Sequence, residues 1–321
     1  MNSRECAVAV DSSPAVLIEP RHAGETLLAA WPWLRGEIDS LLPTAGGVLL
    51  RGFQVESIDV FQQFAAAFGH PLLAYEFAST PRAAVSSGIY TSTEYPPHQH
   101  IPLHNEQAYT REWPMKLWFH CVTAPLAGGE TPVADSRAIY RRMPASIRER
   151  FADGVVYVRN FGHFDVPWQK VFNTSAPLEV ERYCARARIV CEWLDHGGLR
   201  TRQLCQAVER HPATGEFVWF NQAHLFHISN LQTEIRESLV DLLGIENVPR
   251  NAYFADGGRI EDQLLDDVRA ILAEQTHSFP WREGDVMMLD NMLTAHGRTP
   301  FEGPRKVVVA MAEHHDNYAR F

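Results

Sequence analysis

His104, Asn105 and Glu106 set an imidazole and a carboxylate two residues apart. In an extended segment, residues i and i+2 project to the same face, so these two side chains can chelate one ion while Asn105 points away. A second histidine from elsewhere would complete a face of two histidines and one carboxylate. Such a face leaves metal positions open for a bidentate cosubstrate and dioxygen, the arrangement of non-haem iron(II) oxygenases. The pattern is short, and its plainer meaning is a salt-linked pair in a surface turn.

The chain holds fifteen histidines. His98 with His100, His224 with His227, and His314 with His315 are also closely spaced. Most such histidines are satisfied polar groups rather than ligands. His296 is the best third ligand. It lies in DNMLTAHGR (290–298), between two apolar runs; its plainer role is that of a core histidine bonded to a carbonyl. Arg305 follows nine residues later and can grip a dicarboxylate through its planar fork. The alternatives are that Arg305 is a surface charge, or that Arg298 takes the role instead of bracing the loop beside His296.

The runs that frame His296, DVMMLD (285–290) and KVVVAMA (306–312), are strand-like. GGVLLRGF (46–53) suits a buried strand. A helix should follow, capped by Ser57, with Ile58, Phe61, Phe64, Ala65 and Phe68 on one face and Gly69 and Pro71 ending it. MKLWFHCVT (115–123) reads as a strand, and Asp135 or Ser136 can cap a helix to about Met143. Residues 177–187 look helical, and 188–205 and 206–221 look like hairpins. Two helices follow, one with Leu231, Ile235, Leu239 and Leu242 in a stripe, the other with Ile260, Leu264, Val268 and Ile271; both stripes should be core. Helices flanking an antiparallel sheet system fit this order. Residues 1–25 read as a mobile or strand-adding arm, and 26–321 as a single domain.

Lys and Arg number 29 against 39 Asp and Glu, a net charge of −10, which disfavours nucleic acid and anionic lipid as partners. Five cysteines without a CxxC pair suggest reduced thiols. No apolar run approaches a membrane span and the N-terminus lacks a signal-peptide core, so a cytoplasmic protein is expected. Nucleotide-binding, hydrolase-elbow and zincin motifs are absent from the sequence. Nothing in it sets the oligomeric state.

Taken together, GGVLLRGF, PLHNEQAYTREWPMKLWFHCV, APLAGGETPVADSR, VWFNQAHLFHISN and WREGDVMMLDNMLTAHGRTPFEGPRKVVVAM resemble the taurine dioxygenase/clavaminate synthase family of iron(II), 2-oxoglutarate-dependent oxygenases. The likeness is greatest to the bacterial branch that oxidises amino acids, free or carrier-bound, in natural-product pathways. It implies a mainly β fold with flanking helices, a cupin-like double-stranded β-helix (jelly roll) with iron between two sheets. It implies that His104, Glu106 and His296 are the iron ligands, and that Thr131 and Arg305 bind the carboxylates of 2-oxoglutarate. Glu106 stands where many relatives have Asp. Val309 stands where taurine dioxygenase has a sulfonate-binding arginine, which argues against a taurine-like substrate.

Asn221 and Gln222, after an aromatic strand, are candidates to face the substrate, and so are His98 and His100. Tyr109, Arg111 and Trp113 are candidates for a lid. The implied reaction consumes dioxygen and 2-oxoglutarate, hydroxylates an unactivated carbon of an amino-acid-derived small molecule, and releases succinate and carbon dioxide. The substrate is free or presented by a carrier protein. Desaturation, epoxidation or cyclisation with the same cofactors is the alternative. A non-catalytic jelly-roll metal- or ligand-binding protein is the alternative of another class.

Overall fold

The computed structural model describes residues 14–74, 84–92, 95–162 and 164–320; residues 1–13 of the expected arm lie outside these. Seven strands form the main sheet, in the order Val16–Ile18, Gly47–Leu50, Val286–Asp290, Glu112–Thr123, Lys306–Asp316, Ile89–Thr91 and Ala84–Ser86. Val16–Ile18 runs parallel to Gly47–Leu50, and the other pairs are antiparallel.

The central strands are buried on both faces. Val286, Met288, Trp118, Val308 and Ala310 turn toward one core, and Met287, Leu289, Leu117, Phe119, Val309 and Met311 toward another. Their sequences are therefore continuous apolar runs rather than alternating ones.

Helices Leu27–Ala45 and Ile58–Ala66 cover the first face. Thr26 caps one by accepting the Ala29 N–H, and Ser57 caps the other by accepting the Val60 N–H. Leu27, Ala30, Leu34, Ile38 and Leu42 are buried at helical spacing, yet Pro32 and Pro43 inside that helix disguise it in the sequence.

The second face meets a three-stranded sheet in which Thr294–Arg298 lies between Ile101–His104 and Val133–Asp135. A four-stranded sheet, in the order Val190–Trp193, Leu199–Cys205, Val155–Phe161, Arg250–Phe254, shares a separate core with Leu103, Ala134 and Ala295 of the three-stranded one. Val133 shares a core with Phe119 and Val309, which joins the layers. This pair of antiparallel layers with helices outside is the expected double-stranded β-helix. The expected hairpins form at Val190–Trp193 with Leu199–Cys205 and at Val208–Arg210 with Phe217–Trp219. Asp135 caps helix Ser136–Arg142.

Helix Thr233–Leu243 corrects one expectation. No residue in it is buried, and Leu231, Ile235 and Leu242 are exposed. Spacing fixes which side chains share a face, not whether anything covers that face; here the partly buried positions are Arg236, Leu239, Val240 and Leu243. Helix Asp262–Glu274 packs on the core as expected, but its buried stripe is Leu265, Val268 and Leu272; of the expected stripe only Ile260 and Val268 are buried, and Leu264 and Ile271 are partly buried against the same core. Among the described residues no helix is long and apolar enough to cross a membrane.

Candidate metal centre

His104 ends one strand of the three-stranded sheet, and His296 is its register partner on the next. Their ring centroids lie 4.6 Å apart. Glu106 follows two residues later, and ligand atoms of His104, Glu106 and His296 all lie within 4.8 Å of one another. Glu106 is only 3% exposed, which is not the environment of a surface salt link. Two imidazoles and one carboxylate converging in this way fit a divalent first-row metal such as iron(II).

The supporting contacts orient these groups. The Nδ1 of His104 lies 2.9 Å from the Pro102 carbonyl oxygen. As the donor in that bond, Nδ1 leaves Nε2 for a metal. This contact depends on Gly297, beside His296: a Cβ there would fall 2.5 Å from the Ile101 carbonyl oxygen. The loop after His104 is held from below. Asn105 donates to the Asn291 carbonyl at 2.6 Å, and Gln222 donates to the Asn105 carbonyl at 2.7 Å. The side chain of Asn291 bonds the backbone of Glu106. His224 donates from Nε2 to the Leu103 carbonyl at 2.9 Å, and burial pushes its pKa down to about 4.

A cavity of about 360 Å³ adjoins the triad, and His104, His296, Phe119, Thr131, Arg298 and Arg305 are in its wall. Arg305 donates to the Gly129 carbonyl at 2.8 Å and to Ser92 Oγ at 3.2 Å. Among the described residues it makes no ion pair. Burial, aided by repulsion from Arg298, pushes its pKa down to about 10, so an anion in the cavity would stabilise it. Gly129 keeps a φ of 72°, and a Cβ there would lie 3.0 Å from Arg305 Cδ. Thr131 Oγ1 accepts from Trp281 Nε1 at 3.1 Å, so its own proton is left to donate. Arg298 donates to the carbonyls of Tyr95, Pro96 and Gln99 and so braces the loop before His104.

The remaining candidates lie elsewhere. Asn221 donates to the Ala207 carbonyl and accepts from the Ala223 N–H. Tyr109 is buried against Phe226, ring centroids 5.0 Å apart. Gln222 backs the metal loop, and His98 and His100 are exposed. None of these five is in the wall of the cavity. Three positioning residues have no role in the sequence-based expectation: Asn291, Gly297 and Trp281. The available signal for the first two was one amide and one glycine in DNMLTAHGR (290–298), the short stretch between two strands that carries His296.

The family model described as taurine catabolism dioxygenase TauD, TfdA family matches residues 18–311. The dapdiamide synthesis protein DdaC of Enterobacter agglomerans is 42% identical over 278 residues, 86% of this chain and 84% of that protein. A clavaminate synthase-like protein of Arabidopsis thaliana is 34% identical over 292 residues, again 86% of this chain and 84% of the relative. Among solved structures, PvcB, described as an Fe, alpha-ketoglutarate dependent oxygenase from an isonitrile synthetic pathway, shares the fold. Its TM-score is 0.53 at 17% identity, over 93% of this chain and 85% of PvcB. The chain belongs to the TauD/TfdA family, the iron(II) and 2-oxoglutarate oxygenases that its motifs resemble.

Proposed function

We propose that this protein oxidises an amino-acid-derived small molecule of a natural-product pathway, with iron(II) held by His104, Glu106 and His296 and 2-oxoglutarate held by Arg305 and Thr131. The observation that carries this is the triad, its ligand atoms within 4.8 Å of one another, beside a cavity whose wall holds both His104 and His296 and the buried cation Arg305. The names of DdaC, a dapdiamide synthesis protein, and of PvcB, from an isonitrile pathway, support the natural-product setting.

When bound, iron and 2-oxoglutarate supply dioxygen activation, and the cosubstrate leaves as succinate and carbon dioxide. The chain's own residues do the positioning. Pro102 fixes the His104 tautomer; Arg305 offers its guanidinium to the far carboxylate, and Thr131 donates its hydroxyl proton. Phe119 and Ile101 line the cavity and limit water. Hydroxylation is the favoured outcome over desaturation, epoxidation or cyclisation.

The test is iron(II) titration followed by an assay of succinate release. Wild type should bind one iron per chain, and His104→Ala should lose both the iron and the turnover. Full succinate release from that variant would remove the assignment. Product mass separates oxygen insertion from loss of two hydrogens. Assaying free and carrier-bound substrates separates the two modes of presentation.

A further inference from the structure

The wall of the cavity beside the triad holds two hydroxyl side chains, Thr131 and Ser92. Nothing in the spacing of the sequence singles out Ser92. It directly follows strand Ile89–Thr91 at the edge of the main sheet, where that strand pairs with Val308, Val309 and Ala310. The Ser92 N–H continues the pairing by donating to the Val307 carbonyl at 2.9 Å. That register sets Ser92 beside Val307, two residues after Arg305, and the Nη1 of Arg305 donates to Ser92 Oγ at 3.2 Å.

A count of donors shows what is left for a ligand. A guanidinium carries five N–H groups. In Arg305, Nε is committed to the Gly129 carbonyl and one N–H of Nη1 to Ser92. The other three lie on Nη1 and Nη2, so an anion meets the side of the guanidinium that adjoins Ser92. A hydroxyl has one proton to give and two lone pairs. Ser92 Oγ accepts from Arg305, and no acceptor among the described residues takes its proton. Thr131 is in the same state: its Oγ1 accepts from Trp281 Nε1, and its proton goes to no described residue. Each hydroxyl is thus held as an acceptor by a neighbouring N–H and left as a donor. Arg298, in the same wall, instead spends Nη1 and Nη2 on the carbonyls of Tyr95, Pro96 and Gln99.

We propose that Ser92 is a further cosubstrate-binding residue: while it accepts from Arg305, it donates its own proton to the far carboxylate of 2-oxoglutarate on the Nη1 side of the guanidinium. The assignment rests on the oxygenase reading above. Arg305 supplies the charge, and Ser92 fixes the edge at which the carboxylate meets it.

The test is anaerobic and needs no turnover. Protein loaded with iron(II) is titrated with 2-oxoglutarate and followed by the charge-transfer absorption band of the complex. Ser92→Ala should weaken 2-oxoglutarate by about 10-fold, the loss expected for one hydrogen bond to a charged group. Its iron(II) affinity and melting temperature should match those of wild type. In crystals grown with manganese(II) and 2-oxoglutarate, Ser92 Oγ should lie within ~3.0 Å of an oxygen of the far carboxylate. If no band forms in wild type, the oxygenase reading falls and this assignment with it. Three results overturn this assignment and leave the oxygenase reading standing. Ser92→Ala could titrate as wild type does. Its iron affinity or melting temperature could fall together with its cosubstrate affinity, which would make the role structural. The crystals could place Ser92 Oγ more than ~3.5 Å from the carboxylate, which would leave Ser92 only a prop for Arg305.

Discussion

Asn291 holds the Glu106 residue at both ends of its backbone. Its Oδ1 accepts the Glu106 N–H at 2.7 Å, and its Nδ2 donates to the Glu106 carbonyl at 2.9 Å and to the Pro114 carbonyl at 2.8 Å. One fully buried amide five residues before His296 thus fixes Glu106, the proposed carboxylate ligand, relative to the strand of His296.

Replacing that amide should loosen the metal before it unfolds the chain. Asn291→Ala leaves buried backbone groups without partners, at about 2–3 kcal/mol of stability. Iron(II) affinity should fall roughly 10- to 100-fold, the range seen when groups that orient metal ligands are lost. Titration of the folded variant with iron(II) checks this. An unchanged affinity would mean that Gln222 and Asn105 hold the loop without it.

The approach of the two histidine strands depends on the missing side chain at 297. Gly297→Ala would drive a methyl group into the Ile101 carbonyl, next to the Pro102 carbonyl that orients His104. Overpacking of this kind costs about 1–3 kcal/mol. The melting temperature should drop, and iron affinity should drop with it. A variant that melts earlier but binds iron as wild type does would show that the strain relaxes away from His104.

Arg305 and Arg298 should separate cleanly. Arg305→Met should weaken 2-oxoglutarate by ~2–5 kcal/mol, or roughly 30- to 4,000-fold, because the far carboxylate loses its buried partner. Arg298→Met releases three carbonyls of the loop before His104, so it should lower the melting temperature and leave the KM for 2-oxoglutarate nearly unchanged. The reverse pattern would exchange their roles.

His224 predicts an acid-sensitive component of stability. Burial depresses its folded pKa to about 4, from the ordinary histidine value of 6.5. Between those values the unfolded chain binds the extra proton and the folded chain does not. Stability is therefore full above about pH 6.5 and falls as the pH drops toward 4, by about 3 kcal/mol. Urea unfolding of metal-free wild type and His224→Gln at several pH values checks it. The variant should be less stable at neutral pH and lose less on acidification; parallel curves would refute the assignment.

How much of this was legible depends on the kind of contact. The two-residue spacing of His104 and Glu106, and a helix capped by Ser57, are local facts, and the sequence carries them; the expected extended segment, however, ends at His104, and Glu106 lies in the turn that follows. The sheet order, by contrast, joins residue 48 to residue 288 and residue 117 to residue 311, and no local pattern encodes such partners. The same limit explains Asn291, whose role depends on a loop far away in sequence. It also explains Leu231, Ile235 and Leu242, whose stripe has the spacing of a core helix but stays exposed. Pro32 and Pro43 mislead in the other direction, marking as broken a helix that Leu34, Ile38 and Leu42 hold by packing.

Iron held by His104 and His296, as proposed, would also act as a clasp. The two residues are separated by more than half of the chain, so an ion bound to both closes a very long loop in any partly opened state. Such a clasp acts as a reversible cross-link and penalises the open chain more than the closed one. At a hundredfold excess over its dissociation constant, iron would add ~2.7 kcal/mol to the folding free energy. Iron supply would then govern the lifetime of the protein as well as its rate, and protease sensitivity should rise on chelation before any change in catalytic residues occurs.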